Sequence, residues 1–345
     1  LDKEELYENT EQFLKEKAVY HTMLSVAEDV SSGKVDTSDV LDKFEKSCNI
    51  NLVTDLGLDL YTNINTLIDD INSVERHIPS KWEWLDDCLG GGFLEAGKSL
   101  YVFAGETNIG KSIFLGNVAH NIAKEGKNVL LITLEMSELL YARRICSNVT
   151  KVPMKEMVGN TPAIKQAIKD EKGKIFIKEF PPATITVNQL KGFIKKFQEQ
   201  GIKLDAIVLD YLNLMHSTIG NNSYERIKHV TEQVRAMSYL FECPIISATQ
   251  LNRAGFDQDN PDLATISESI GLAATADVIV SIYQNEEDRE LGIIRLGMMK
   301  NRYGPRGMTQ AMRIDYSTLT IEEADDIEFE DDGDQTLNIL AGLAS

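Results

Sequence analysis

Between residues 100 and 124 an apolar run, a glycine-containing turn and a helical pattern succeed one another without a gap. That order restricts the fold more than any other feature of the chain. Leu100–Ala104 reads as a short buried strand, and residues 112–124 carry helical periodicity. Between them, Gly105-Glu106-Thr107-Asn108-Ile109-Gly110-Lys111-Ser112 fits the phosphate-binding loop pattern in the strand–loop–helix setting it requires. Glycines permit the tight turn, so that loop amides and the helix N-terminus point at phosphate oxygens. Lys111 would bring a cation to the β- and γ-phosphates, and the Ser112 hydroxyl would ligate Mg2+.

Downstream of this loop the chain has the pattern of an α/β sheet. Strands at Asn128–Leu134, Ile175–Ile177, Ala206–Leu209, Pro244–Ala248 and Val278–Ile282, with one or two more in Gly292–Met299, alternate with helices at 137–148, 188–200 and 224–241. Such alternation implies a mostly parallel sheet covered by helices on both faces. A 43% hydrophobic content is enough for a sizeable core. No run of eighteen apolar residues exists, so no membrane span is expected. The first twenty residues are charged throughout and lack a leader pattern. The chain begins at Leu1 rather than Met and reads as a fragment of a longer protein. Cys48, Cys88, Cys146 and Cys243 form no Cys-x-x-Cys pair, which argues against zinc and fits a reducing cytosol. His120, inside a helical pattern, reads as packed or solvated rather than as a ligand.

Three further strands end in polar residues. Glu135 comes after Leu131–Leu134, where a carboxylate can orient and deprotonate a water; a helix N-cap or a first-turn acid favoured by the helix dipole is the equal alternative. Asp210 ends Ala206–Leu209 in the manner of a carboxylate that holds Mg2+, commonly through water. Gln250 comes after Pro244–Ala248, placed to touch a γ-phosphate and report its loss to the next loop. In a parallel sheet these carboxyl ends converge on one site, so together they favour a functional reading that none carries alone.

Ahead of this region, residues 3–32 read as a helix and 39–48 as a second, shorter one capped by Thr37 or Ser38. Residues 49–62 read as a linker. A further helix at about 63–73 shows Ile64, Leu67, Ile68 and Ile71 on one face, suited to packing on its own domain or on an adjacent subunit.

The net charge of −19 argues against a nucleic-acid partner, but nine acids and no base lie in 322–345, leaving −10 on the remainder. That tail is expected to be disordered. Leu337, Ile339, Leu340 and Leu343 make a docking peptide for another protein the alternative to a merely solvated end.

The GETNIGKS loop, the LEMS segment at 134–137, DYLNLM at 210–215 and SATQLNR at 247–253 resemble, in order and spacing, the motor domain of DnaB-type replicative helicases. ISESIGLAATAD at 266–277 and Lys300-Asn301-Arg302-Tyr303-Gly304 look most like the T-even phage branch. Residues 14–30 look like the last hairpin of that family's amino-terminal collar. The resemblance implies an α/β fold: a RecA-like P-loop motor domain over 80–321, with a mostly parallel central sheet flanked by helices. Before it would come a hairpin (1–48) left from the collar and a linker (49–79) whose helix packs on an adjacent subunit; the acidic tail would come last.

It also implies an ATP-dependent DNA helicase, working as a homo-hexamer that moves 5′ to 3′ on single-stranded DNA in its central channel. Mg2+ would be the cofactor, ATP the substrate, and a primase and a helicase loader the partners, in the cytoplasm of a host cell if phage-encoded. Residues 105–113, Ile113 included, would bind ATP. Ser112 and Asp210 would hold the metal, Glu135 would be the catalytic base, and Gln250 would couple hydrolysis to movement. Lys300 and Arg302 would reach the neighbouring subunit's nucleotide, with Arg302 as the arginine finger that stabilises charge on the transferred phosphoryl group.

DNA contacts would come from Ser217–Tyr224, with Asn221 and Asn222, and from Ala254–Gly271, with Ser267, Glu268, Ser269 and Gly271, partly through backbone amides. Ser267 stands where bacterial members have an arginine. Arg143 and Arg144 would either approach the nucleotide or form a solvated helix face, and Tyr303 would either stack on a base or pack. A RecA- or RadA-type recombinase shares the loop and the glutamate but brings a Cys-x-x-Cys module absent here. A ring-forming module inert without its collar is the remaining alternative.

Overall fold

The computed structural model describes residues 3–33, 37–48, 76–217, 222–250 and 270–324, with positions 50, 52, 59, 61, 64, 68, 69 and 220 besides. The acidic tail beyond 324, most of the expected linker helix, and Asn221, Ser267, Glu268 and Ser269 lie outside the described residues. The chain divides into two compact units, Leu1–Val74 and Glu75–Ser345.

In the first unit, helices α1 (Lys3–Ser31) and α2 (Thr37–Cys48) form a hairpin. Thr22 Oγ1 meets Ser47 Oγ at 2.6 Å, and Lys43 bridges Asp29 and Asp39. Glu11 accepts from the Leu52 amide at 3.0 Å. Phe13, Tyr20, Met23, Leu24 and Val30 of α1 are exposed.

The second unit is built on one nine-stranded sheet. Its strands are β3 (Leu100–Gly105), β4 (Asn128–Thr133), β5 (Lys174–Glu179), β6 (Ala206–Asp210), β7 (Ile245–Gln250), β8 (Val278–Tyr283), β9 (Ile293–Asn301), β10 (Thr309–Asp315) and β11 (Thr320–Glu323). The short strands β1 (His77–Ile78) and β2 (Phe93–Leu94) pair apart from it. The sheet order is β11-β10-β9-β8-β3-β7-β6-β4-β5. From β8 to β5 all neighbours are parallel, and β8-β9-β10-β11 are antiparallel. The helices are α3 (Glu83–Cys88), α4 (Lys111–Lys124), α5 (Glu138–Thr150), α6 (Thr161–Lys169), α7 (Val187–Glu199), α8 (Ser223–Leu240), α9 (Ile270–Thr275) and α10 (Glu286–Leu291).

Strand β3 is buried along its whole length, and its side chains alternate between two cores. Tyr101 and Phe103 enter the core that contains Phe114 and Val118 of α4, with Leu131 and Val280. Leu100, Val102 and Ala104 enter the opposite core, with Leu190 of α7, Val234 of α8 and Leu272 of α9. Phe114 stacks on Phe103 at 4.4 Å and on Trp82 at 4.6 Å between ring centroids. Each such side chain contributes about 1.5–3 kcal/mol by leaving water. The loop is therefore mounted on a strand buried along its whole length and on a helix with an extensive buried face.

The antiparallel part extends beyond what the sequence pattern suggests. That pattern predicts one or two strands within 292–299; three are present, the last reaching Glu323. Strand β10 alternates only partly between buried and exposed positions, and β11 is four residues long, so neither gives a strong periodic signal. Glu323 caps α3 by accepting from the amides of Glu83 (2.9 Å) and Trp84 (2.8 Å), and Trp82 Nε1 donates to the Ile321 carbonyl. Among the described residues no helix is long and apolar enough to cross a membrane.

Candidate active site

The carboxyl edge of the parallel strands gathers the polar residues. In register, Gly105 of β3 lies beside Gln250 of β7, and Asp210 of β6 lies beside Thr133 of β4, two residues before Glu135. Gly105 has no room for a side chain: a Cβ there would stand 2.8 Å from Ile109 Cγ2 and 2.9 Å from the Ile282 carbonyl. The loop turns through Asn108 (φ 66°) and Gly110 (φ 104°), which suits glycine at the second position, and α4 starts at Lys111. The Lys111 ammonium folds back over the loop and donates to the carbonyls of Gly105 (3.0 Å) and Glu106 (2.5 Å). Desolvation pulls its pKa down, while Asp210, Glu135 and Glu106 oppose that shift.

Asp210 is fully buried, and neither carboxylate oxygen has a hydrogen-bond partner of normal geometry among the described residues. Burial pushes its pKa up to about 6; the nearby Ser112 and Tyr141 hydroxyls pull it back and Glu135 adds to the rise. The Tyr141 hydroxyl donates instead to the Ser112 carbonyl at 2.9 Å. An orphaned buried carboxylate beside a serine hydroxyl is the donor set a divalent cation needs, so these residues fit Mg2+.

Glu135 is exposed in the turn between β4 and α5. Thr133 Oγ1 fixes that turn by donating to the Met136 carbonyl and accepting from its amide. Ser137, not Glu135, caps α5, which removes the capping alternative for the glutamate. Gln250 Nε2 donates to Thr107 Oγ1 at 2.6 Å, joining β7 to the loop. Thr107 as that partner, and Tyr141 beside Asp210, carry no sequence signal of their own. Arg144 is half-buried and lines a narrow crevice with Ser112, Ile113 and Tyr141, whereas Arg143 is exposed. His120 is packed, between Asn148 (2.7 Å) and Glu171 (3.1 Å).

Lys300 and Arg302 lie elsewhere. Lys300 pairs with Ile279, which pairs with Val102, so the end of β9 sits level with the start of β3. Arg302 is thus about five residues, roughly 17 Å, from Gly105 along the strand direction. Its guanidinium bonds Asp277 Oδ1 at 2.8 Å. Asp277 is buried and also accepts two bonds from Arg235 and one from the Leu100 amide. Lys300 donates to the carbonyls of Ala273, Ala274 and Ala276. Tyr303 is partly exposed, 6.3 Å from the Tyr101 ring.

Of the residues expected to meet DNA, Asn222 caps α8 by accepting from the Glu225 amide (2.8 Å). Gly271 is buried in α9, where a Cβ would stand 2.7 Å from Lys228 Cβ.

The chain is similar to known proteins in sequence and in fold. The DnaB-like replicative helicase of Enterobacteria phage T4 is 24% identical over 324 residues, covering 87% of this chain and 68% of that protein. The replicative DNA helicase DnaB of Geobacillus stearothermophilus is 26% identical over 275 residues, covering 75% of this chain and 59% of that one. This chain therefore spans only part of its relatives. A solved DnaB-like replicative helicase, described together with its interactions with primase, superposes with a TM-score of 0.65 at 18% identity, over 92% of this chain and 78% of that one. The model of the DnaB-like helicase C terminal domain matches residues 77–319. With a P-loop, an orphaned buried carboxylate and a glutamine joined to the loop, all at one sheet edge, the chain belongs to the DnaB-like helicase family.

Proposed function

We propose that this chain is the motor of a replicative DNA helicase, which hydrolyses ATP with Mg2+ at the interfaces of a hexameric ring and drives 5′ to 3′ movement on single-stranded DNA. The observation that carries this reading is the convergence of Lys111, Asp210, Gln250 and Glu135 on the carboxyl edge of adjacent parallel strands.

The loop amides and the N-terminus of α4 bind the triphosphate, and Lys111 exchanges its two carbonyl partners for phosphate oxygens. Ser112 and Asp210 would hold Mg2+, which would supply positive charge to offset that of the triphosphate. Glu135, exposed on a turn that Thr133 holds, takes the proton of the attacking water. Gln250 tracks the γ-phosphate from its place on Thr107. Arg302 is too far from its own loop to act there and is supplied instead to the next subunit's site, a role worth about 10³–10⁵ in rate where such fingers have been measured. Single-stranded DNA runs through the channel past Asn221, Asn222, Ser267, Glu268, Ser269 and Gly271. A primase and a loader are the protein partners, in the cytoplasm where replication takes place.

The test is ATP hydrolysis by the full chain with and without single-stranded DNA, paired with particle sizing in a non-hydrolysable ATP analogue. DNA-stimulated hydrolysis and six-fold particles are expected. Hydrolysis that ignores DNA in protein that does assemble would reject the motor reading.

A further inference from the structure

Lys300 and Arg302 are not equivalent in this structure. An ammonium has three N–H donors, and the Nζ of Lys300 meets three carbonyl oxygens: Ala273 at 2.7 Å, Ala274 at 3.1 Å and Ala276 at 2.6 Å. Its capacity is full. These oxygens belong to the carboxyl end of α9, where helix carbonyls lack intrahelical partners and carry partial negative charge. Arg302 uses one nitrogen on Asp277, and its other side-chain N–H groups make no hydrogen bond among the described residues. Arg302 can thus gain a phosphate without losing a partner, whereas Lys300 cannot.

The helix that Lys300 holds is well placed to matter. It begins at Ile270, where the segment expected to face DNA ends. Its Gly271 is pressed against Lys228 of α8. That second helix opens at Ser223 behind its cap Asn222, inside the end of the other segment expected to face DNA. A single side chain on the strand that leads to Arg302 therefore grips a helix in contact with the elements bounding both DNA-facing segments. Three cations, Arg235, Lys300 and Arg302, gather about one buried carboxylate, Asp277, so the cluster has positive charge to offer an arriving anion.

We propose that Lys300 is an exchange residue: its ammonium holds the end of α9 while no triphosphate is presented by the adjacent subunit, and must release α9 to reach one, so that nucleotide across the interface and the end of α9 compete for one cation. This rests on the reading that the site is completed between subunits. The two states are defined by donor count: three bonds to α9, or fewer bonds to α9 and at least one to phosphate. Release frees the last carbonyls of a six-residue helix.

The test uses the full chain, assembled, with a non-hydrolysable ATP analogue and a fluorescent oligo-dT strand. In the wild type the analogue should change DNA affinity by roughly fivefold or more, and should speed hydrogen exchange of the amides at the carboxyl end of α9, Thr275 and Ala276. In Lys300→Met both responses should vanish, with those amides already fast in the absence of nucleotide. As a second variant, Lys300→Arg keeps a cation, but its planar fork cannot converge on three carbonyls. Its α9 amides should also exchange fast without nucleotide. An unchanged nucleotide response in Lys300→Met, or wild-type protection in both variants, overturns the proposal. Arg302→Ala separates the two readings. If it hydrolyses ATP like the wild type, the between-subunit site fails and this inference fails with it. If it is inactive while Lys300→Met keeps the normal α9 response, only the exchange is wrong.

Discussion

Gln250 reaches across from β7 and donates to the hydroxyl of Thr107 at 2.6 Å, so the residue proposed to couple hydrolysis to movement touches the phosphate loop itself. A triphosphate that reorders Thr107 must therefore disturb Gln250, which stands at the end of a strand whose continuation is expected to face DNA. Gln250→Ala should bind a fluorescent ATP analogue within a few-fold of the wild type yet lose stimulation by single-stranded DNA. Thr107→Val, which removes only the acceptor hydroxyl, should weaken the stimulation less. Full stimulation in Gln250→Ala would place the coupling elsewhere.

Asp210 makes the ion-free protein less stable than it would be with a neutral side chain. Its folded pKa of about 6 lies above the ordinary value of 3.8. The folded state therefore binds more protons than the unfolded state between those values, and stability falls as pH rises from 4 to 6 and stays low above. The loss at pH 7 is on the order of 3 kcal/mol. Asp210→Asn should raise the urea midpoint in EDTA at pH 7, flatten the dependence between pH 4 and 6, and abolish hydrolysis. A lower midpoint in EDTA would mean that the carboxylate has a partner after all.

Lys111→Ala should abolish hydrolysis, since nothing else in the loop supplies a cation. Arg302→Ala should abolish it too, while an isolated subunit binds nucleotide as before. Mixed with Glu135→Ala subunits, Arg302→Ala subunits should regain partial activity, because an interface with an intact glutamate on one side and an intact arginine on the other then forms. The readout is ATP turnover against mixing ratio, with a maximum at intermediate ratios expected.

Asp277 accepts bonds from two guanidinium groups and the Leu100 amide at the base of β3, and it is almost fully buried. Asp277→Ala would strand Arg235, itself only a quarter exposed, beside an empty site. Breaking a buried pair on one side costs about 3–5 kcal/mol. The melting temperature should drop accordingly, and far more than for Lys151→Ala, whose partner Glu322 is exposed.

The elements that bear the site could be read from the chain because each announces itself locally: an apolar strand, then a polar residue at its end. Leu131–Leu134, Ala206–Leu209 and Pro244–Ala248 do this, and the parallel order then brings their ends together. What the sequence hides is set by partners distant along the chain or by backbone atoms. The acceptors of Lys300 are carbonyls, which have no letter in a sequence. Asp277 lies 25 residues before Arg302 and 42 after Arg235, and only the sheet register joins them. Nor does the sequence show that the Asp210 carboxylate is buried without a hydrogen-bond partner of normal geometry among the described residues. Strands β10 and β11 escape because a short outer hairpin need not alternate strictly.

The Glu323 cap also fixes where the chain can be cut. Removing everything from 322 onward would take the carboxylate that secures the first turn of α3, the Glu322 partner of Lys151, and the buried methyl of Ala324. Such a truncation would wound the motor domain, and a loss of partner binding could then be mistaken for a property of the acidic tail. A stop codon at position 325 separates the two.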